Sequence, residues 1–364
     1  MKEGYNMDKT LEFLKEITDI NGVPGHEGKV KKYMANEMSK YADEICYDGQ
    51  GGVVGFVKGD PNGPVIMCDG HMDEVGFMVS GIKPDGFLAI TPLGGWNPAV
   101  VAAHEVVVTT KSGEIHGVVG ANPPHSGGNP MEDRRRFFEG AFVDIGATSK
   151  DEAMEMGVRV GDMVTPYQEF KVLGKDQKHL LAKAWDCRIG CAMVLEIMKN
   201  LHESGTPNIY AGSGSVQEEV GCRGAQTTAY IASPKIGFAF DVSLANDYPG
   251  GGDKDGFEFG KGPQIHLMDS GMLGHRALFD FVVSVAEECK IPYQVTVLKA
   301  GGTDGARISQ MKSGAPTLFI GIPSRYIHSQ TSMIYRDDYE NAVKLMTEVI
   351  KRLDAKTVEE IWHN

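Results

Sequence analysis

Runs patterned for strands and runs patterned for helices alternate through most of this chain, and one long internal stretch breaks the alternation by reading almost entirely as strand. At the start, Asp8 can cap a helix carrying Leu11, Leu14 and Ile17 on one face, and Asn21-Gly22-Val23-Pro24-Gly25 ends it. A second amphipathic run covers 27–41, followed by strand-like runs at 52–57 and 65–68. After Pro166 the alternation resumes with a helix over 188–201, strands at 208–212 and 236–240, a helix over 272–289, strands at 293–298 and 317–322, and a last helix over 338–353. Strands alternating with helices predict an α/β sheet with helices on both faces.

Residues 75–165 behave differently. Two β-type runs, 106–110 and 114–119, flank Lys111-Ser112-Gly113 as a hairpin would, and the one helical signal is the capping box Ser149-Lys150-Asp151-Glu152. The expected organisation is therefore a catalytic α/β domain in two parts, 1–74 and 166–364, with a small β-barrel-like domain inserted at 75–165. At 364 residues the chain is long enough for two domains.

Charge and cysteine usage narrow the function. With 36 Lys and Arg against 49 Asp and Glu, the net charge is −13, which repels phosphate backbones and anionic lipid, so neither nucleic acid nor membrane is expected as a partner. No window approaches about 18 uninterrupted apolar residues and no apolar run precedes the first helix, so membrane-spanning and secretory readings fall away. Cys46, Cys68, Cys187, Cys191, Cys222 and Cys289 form no CxxC pair, and a reduced cytoplasmic protein is expected.

Five polar clusters stand where strands end or helices begin, the places where open α/β sheets hold their ligands. His71-Met72-Asp73 pairs an imidazole with a carboxylate able to fix its tautomer, although such a triplet also arises by chance. Asp186 precedes a helix, where capping alone would explain it. Glu218 and Glu219 lie between Val216 and Val220, and a partly buried pair of carboxylates is costly without a cation. Asp241 follows the apolar run 236–240, and His328 follows the strand at 317–322, where a loop histidine is the plain alternative. Gly301-Gly302-Thr303-Asp304 could shape an anion-binding nest near substrate or form only a tight turn.

Taken together, His71, Asp186, Glu219, Asp241 and His328 form a ligand set of mixed imidazole and carboxylate, with Glu218 left as a base. Such donors suit Zn²⁺, Co²⁺ or Mn²⁺. Five ligands exceed the needs of one open zinc site, and two ions about 3.5–4 Å apart sharing a carboxylate use them well. Hydrolysis is the expected chemistry.

These residues also carry a resemblance. His71 to Phe77, Trp185-Asp186-Cys187-Arg188-Ile189-Gly190, Gln217 to Ala225, Phe240-Asp241-Val242, Gly301 to Asp304 and Ile327-His328-Ser329 resemble, in order and spacing, the motifs of the tetrahedral (TET) aminopeptidases, also called glutamyl aminopeptidase or cellulase M. The resemblance implies a zinc-exopeptidase-like mixed sheet sandwiched by helices, with an inserted dimerisation domain, and two divalent metal ions per subunit acting on peptide substrates. It implies His71 and Asp241 on one ion, Glu219 and His328 on the other, Asp186 bridging both, Glu218 as general base, and Asp73 as the partner of His71. It further implies a homo-oligomer, a dimer or a hollow dodecamer of twelve subunits. Two places depart from the pattern: Cys187 stands where many relatives carry Asp, and the loop 121–136, with Gly127-Gly128 and Arg134 to Arg136, is unusual.

Two other readings compete. A cellulase M-type glycoside hydrolase (endoglucanase) would use Glu218 and Glu219 as acid and base, but adjacent residues are hard to set about 5–10 Å apart across one glycosidic bond. A catalytically silent, assembling scaffold would not need the complete ligand set.

Overall fold

The computed structural model describes residues 7–120, 138–252 and 255–364. The atypical loop 121–136 lies outside them.

The chain is α/β, with one eleven-stranded mixed sheet and one closed six-stranded antiparallel barrel. Along the sheet the main order is β1 (Glu44–Tyr47), β2 (Val53–Lys58), β12 (Ile209–Ser215), β3 (Val65–His71), β13 (Ile236–Leu244), β16 (Thr317–Arg325), β17 (Ser332–Tyr335), β11 (His179–Ala182) and β10 (Lys171–Leu173). A short strand, β14 (Gln264–His266), pairs with β16 and with β15 (Gln294–Thr296).

β12, β3, β13 and β16 run parallel, so their carboxyl ends meet at one edge. Register places Ser215 opposite His71 and Asp241 opposite Gly321. Alternate side chains of β3 serve opposite faces: Ile66 and Cys68 join the large core with Leu14, Met34, Ile197 and Leu345, while Met67 joins a smaller one with Ala225, Ala229 and Ile308. The large core is built by α1 (Lys9–Asp19), α2 (Gly28–Met38), α4 (Trp185–Ser204), α6 (Arg276–Cys289), α8 (Arg336–Ile350) and α9 (Ala355–Trp362), and the smaller by α5 (Arg223–Ala232) and α7 (Gly305–Ser309).

Two glycines let α4 lie directly on the central strands. A Cβ on Gly70 would sit 2.4 Å from the Gly190 carbonyl carbon, and one on Gly190 would sit 2.3 Å from the Phe240 oxygen. That close approach carries the first residues of α4 over the carboxyl ends of β3 and β13.

The barrel is β4 (Gly76–Ile82), β5 (Leu88–Leu93), β8 (Phe142–Asp144), β7 (Gly113–Val119), β6 (Glu105–Thr110) and β9 (Met163–Pro166), in that spatial order. It has its own core, where Phe77 stacks on Trp96 at 4.9 Å. The hairpin pairs Val106 with Gly117, and the capping box starts α3 (Lys150–Glu155), with the Ser149 hydroxyl accepting from the Glu152 amide.

Some boundaries differ from the sequence reading. Asp241 lies inside β13 rather than after it, because the strand continues to Leu244 in register with β16. Helix α6 starts at Arg276, since Asp269 accepts from the Gly271 and Met272 amides and holds that stretch as a turn.

Candidate active site

His71 ends β3 and is 2% exposed. Its Nδ1 lies 3.0 Å from the Asp73 carbonyl oxygen and 3.5 Å from the Asp73 carboxylate, so a proton on Nδ1 leaves Nε2 as a free donor atom. Nε2 faces Asp186 Oδ1 at 3.1 Å, Asp241 Oδ2 at 3.7 Å and Glu218 Oε2 at 3.9 Å.

Asp186 does not cap its helix. The backbone at Asp186 (φ −82°, ψ 105°) and Cys187 is non-helical, and the side chain turns into the cleft between two histidines. Its Oδ2 lies 3.2 Å from His328 Nε2, while its Oδ1 faces His71. Glu219 Oε2 completes the second group, 3.4 Å from His328 Nε2. The structure thus brings all five ligand candidates and Glu218 together around one carboxylate.

The Glu218–Glu219 segment is a turn. Gln217 has φ 59°, and the Glu218 carbonyl accepts from the Gly221 and Cys222 amides at 2.8 Å. Asp73 holds this turn, its two carboxylate oxygens accepting the Glu218 and Glu219 amides at 3.1 Å each. A further residue, missed in the sequence, braces the turn from outside: Glu27, buried beside α2, accepts from the Gln217 amide at 3.1 Å and the Gly25 amide at 2.9 Å. Burial, helped by the Asp73 charge, raises its carboxyl to about 7. The only hint was an acid ahead of an amphipathic helix.

The Gly301–Asp304 segment divides. Gly301, Gly302 and Thr303 line the cleft, whereas Asp304 points inward, with Oδ2 accepting from the Ser215 hydroxyl at 2.6 Å. Cys187 donates to the Phe240 carbonyl at 3.1 Å and lies in one group with His71 and Asp241, their ligand-type atoms within 4.8 Å of one another.

The electrostatics call for cations. Burial raises Glu219 well above the carboxylate range and Glu218 to about 7, with the charges of Asp186 and Asp241 respectively adding to the rise. Asp241 is also raised by burial and by Asp186. Asp186 is lowered: burial opposes this, but hydrogen bonds from His328 and His71 prevail. His328 is raised to about 10 against the effect of burial by Glu219 and Asp186. Four carboxylates thus share two imidazoles, and Glu219 Oε1 is buried without a hydrogen-bond partner. Nitrogen and oxygen donors in this arrangement fit borderline divalent ions. The site opens onto a cleft of about 530 Å³.

Known proteins decide the family. The sequence profile described as M42 glutamyl aminopeptidase matches residues 51–345, and one described as AMPT matches residues 8–34. The chain belongs to the M42 glutamyl aminopeptidase family. It is 36% identical to the glutamyl aminopeptidase of Lactococcus lactis, over 96% of this chain and 98% of that protein. It is 34% identical to the lysyl aminopeptidase of Pyrococcus furiosus, over 94% and 97%. Among solved structures, a TET aminopeptidase from the marine sediment archaeon Thaumarchaeota archaeon SCGC AB-539-E09 superposes with a TM-score of 0.91 at 39% identity, covering 98% of this chain and 100% of that one. The Pyrococcus horikoshii TET1 peptidase, described as assembling into a tetrahedron or a large octahedral shell, superposes at 0.84 with 30% identity, covering 95% and 100%. As an M42 member this chain is a hydrolase, an aminopeptidase.

Proposed function

We propose that the protein removes N-terminal residues from peptides with two divalent ions and Glu218 as general base. The observation that carries this reading is the placement of Asp186, one carboxylate oxygen toward each of two histidines. His71 and Asp241 would hold one ion, His328 and Glu219 the other, and Asp186 would serve both. Bound there, such ions, Zn²⁺, Co²⁺ or Mn²⁺, would supply the Lewis acidity that acidifies a water and polarises the scissile carbonyl. Glu218 accepts the proton of the attacking water and delivers it to the leaving amine. Asp73 keeps the His71 ring and the Glu218 backbone in place at once.

The cleft also bears on which residue is removed. Beyond the ligand set its described walls include Val242, Leu244, Leu298, Ala300, Phe319 and Ile327, and no Lys or Arg is among them. A neutral apolar side chain fits these walls, while a glutamyl side chain would bring a carboxylate beside Glu218 and Glu219 with no Lys or Arg there to receive it.

The inserted barrel, residues 75–165, is proposed as the dimer contact, within a homo-oligomer that extends to a tetrahedral dodecamer. Sedimentation of a monomer at micromolar concentration would refute self-association. All six cysteines are free thiols, which supports a reducing, cytoplasmic location; among the described residues no helix is long and apolar enough to cross a membrane. The deciding experiment combines metal analysis with a panel of aminoacyl chromogenic substrates. Two ions per subunit, activity lost on chelation, and leucyl preferred over glutamyl substrate are expected. One ion or none overturns the two-ion reading, and a glutamyl preference overturns the apolar pocket.

A further inference from the structure

Glu218 has a second group of neighbours on the side away from His71. Its Oε1 lies 3.0 Å from the Cys222 sulfur, and a carboxylate oxygen of Asp304 completes a group whose ligand-type atoms all lie within 4.8 Å of one another. Cys222 and Glu218 line the cleft, so the group opens to solvent there, while Asp304 closes it from behind and is 4% exposed.

The acidic members are poorly compensated. Asp304 and the fully buried Asp69 share the Ser215 hydroxyl, Oγ, at 2.6 and 2.9 Å, and Asp69 also has the Ser213 hydroxyl and the Asp304 carboxyl beside it. One hydroxyl donates one proton, so it cannot satisfy both carboxylates at once. The remaining oxygens, Asp304 Oδ1 and Asp69 Oδ1, are buried without any hydrogen-bond partner. Among the described residues no Lys or Arg forms an ion pair with Asp69, Asp304 or Glu218. A buried carboxylate left in this condition demands either a shared proton or a cation.

We infer that Glu218, Cys222 and Asp304 form a third cation site, distinct from the two assigned above, which takes a thiophilic divalent ion such as Zn²⁺ or Cd²⁺ and silences the enzyme by capturing Glu218. The inference rests on the role given to Glu218 in the proposed function. One soft sulfur with two carboxylates selects such ions over Mg²⁺, Ca²⁺ and Mn²⁺. On binding, the ion gains a bond to sulfur and the Cys222 thiol proton leaves to solvent; no electrons change hands. With three donors and no imidazole, this site fills after the other two. Rising Zn²⁺ should therefore first activate the enzyme and then inhibit it.

Enzyme holding two Zn²⁺ per subunit is titrated with Cd²⁺, following bound metal by equilibrium dialysis, thiolate-to-cadmium absorption, proton release and peptidase activity. Wild type is expected to take up one further ion, gain the absorption band, release one proton and lose activity. Cys222→Ala should remain at two ions without the band. Each variant is compared with its own activity at two ions, and Cys222→Ala should need more than about tenfold higher Cd²⁺ for half-inhibition, since even a partner outside the coordination shell is worth about 10–100-fold in metal affinity. Cys222→Ser, which keeps a smaller, harder donor, should lie between. A band that survives in Cys222→Ala, or an unchanged half-inhibitory concentration, overturns the site. So does a wild type that stops at two ions, the outcome expected if Asp69 and Asp304 simply share a proton. If wild type never holds two Zn²⁺ before Cd²⁺ is added, the two-ion reading fails and this inference falls with it.

Discussion

The two arms of the site differ in what holds them. His71 and Asp241 sit on β3 and β13, their side chains 2% and 11% exposed, in a register fixed by parallel pairing at the centre of the sheet. His328 and Glu219 sit on connections: His328 has φ 57° and a side chain 38% exposed, while Glu219, its side chain 2% exposed, rides on the turn braced by Asp73 and Glu27. Asp186 lies between them with one oxygen on each side. One arm is thus preorganised by the fold's most buried strands, and the other depends on loops that must be held by their own hydrogen bonds. The arms should differ in how tightly they keep an ion and how fast they lose it.

The comparison breaks most completely at its shared member. Asp186→Ala should empty both arms together, and activity should fall by more than the about 10²–10⁴-fold that a single general base contributes. Metal analysis retaining one tightly bound ion would show that the arms are independent. Glu218→Gln comes next. Removing only the proton acceptor should leave both ions and substrate binding in place and lower kcat by about 10²–10⁴-fold. Glu219→Gln should instead weaken the loop-borne arm, with activity partly restored by excess metal. If the two variants exchange these behaviours, the roles of Glu218 and Glu219 are reversed.

The same contrast explains what the sequence made legible. His71 and Asp241 could be read because each terminates or punctuates an apolar strand, where a polar residue has few reasons to be. The β/α alternation and the barrel were readable from periodicity, which depends on local pattern alone. The turn at 217–222 was not, because Val216 and Val220 mimic a strand while Gln217 takes a left-handed conformation that only long-range contacts with Asp73 and Glu27 stabilise. The capping role that local rules favour for Asp186 fails for a related reason: the close packing of Gly70 against Gly190 sets where α4 begins, and the preceding residue, Ala184, has φ 56°. Asp304 was readable as part of a cleft-lining loop, but not as lying behind the cleft wall with its carboxylate on Ser215.

A smaller effect should appear in the order of metal loss. A chelator reaches the arm of His328 first, so release of the two ions should be biphasic. His328→Ala should abolish the fast phase while keeping one ion, and His71→Ala should disturb both, because Nε2 of His71 faces Asp186 and Asp241 together. Release in a single phase, with equal losses in the two variants, would remove the asymmetry.

The finest test is pH. In metal-free protein the carboxylates of Glu219 and Asp186 overcome burial and raise His328 from 6.5 to about 10. Because the folded value lies above the unfolded one, this pairing stabilises the metal-free protein fully below about pH 6.5, and the contribution fades as pH rises through about 10. A cation on Nε2 must displace that proton, so over the same window its affinity should rise, by up to about tenfold per pH unit for one proton released. The two trends run in opposite directions: the metal-free protein loses stability while the loaded protein gains tighter binding. The gap in melting temperature between Zn²⁺-loaded and chelated protein should therefore widen from about pH 6.5 to 9, and His328→Ala should flatten it by the share of one proton. A gap that narrows with pH, or one that His328→Ala leaves unchanged, would show that His328 gives up no proton to the metal and would take from it its role as a ligand.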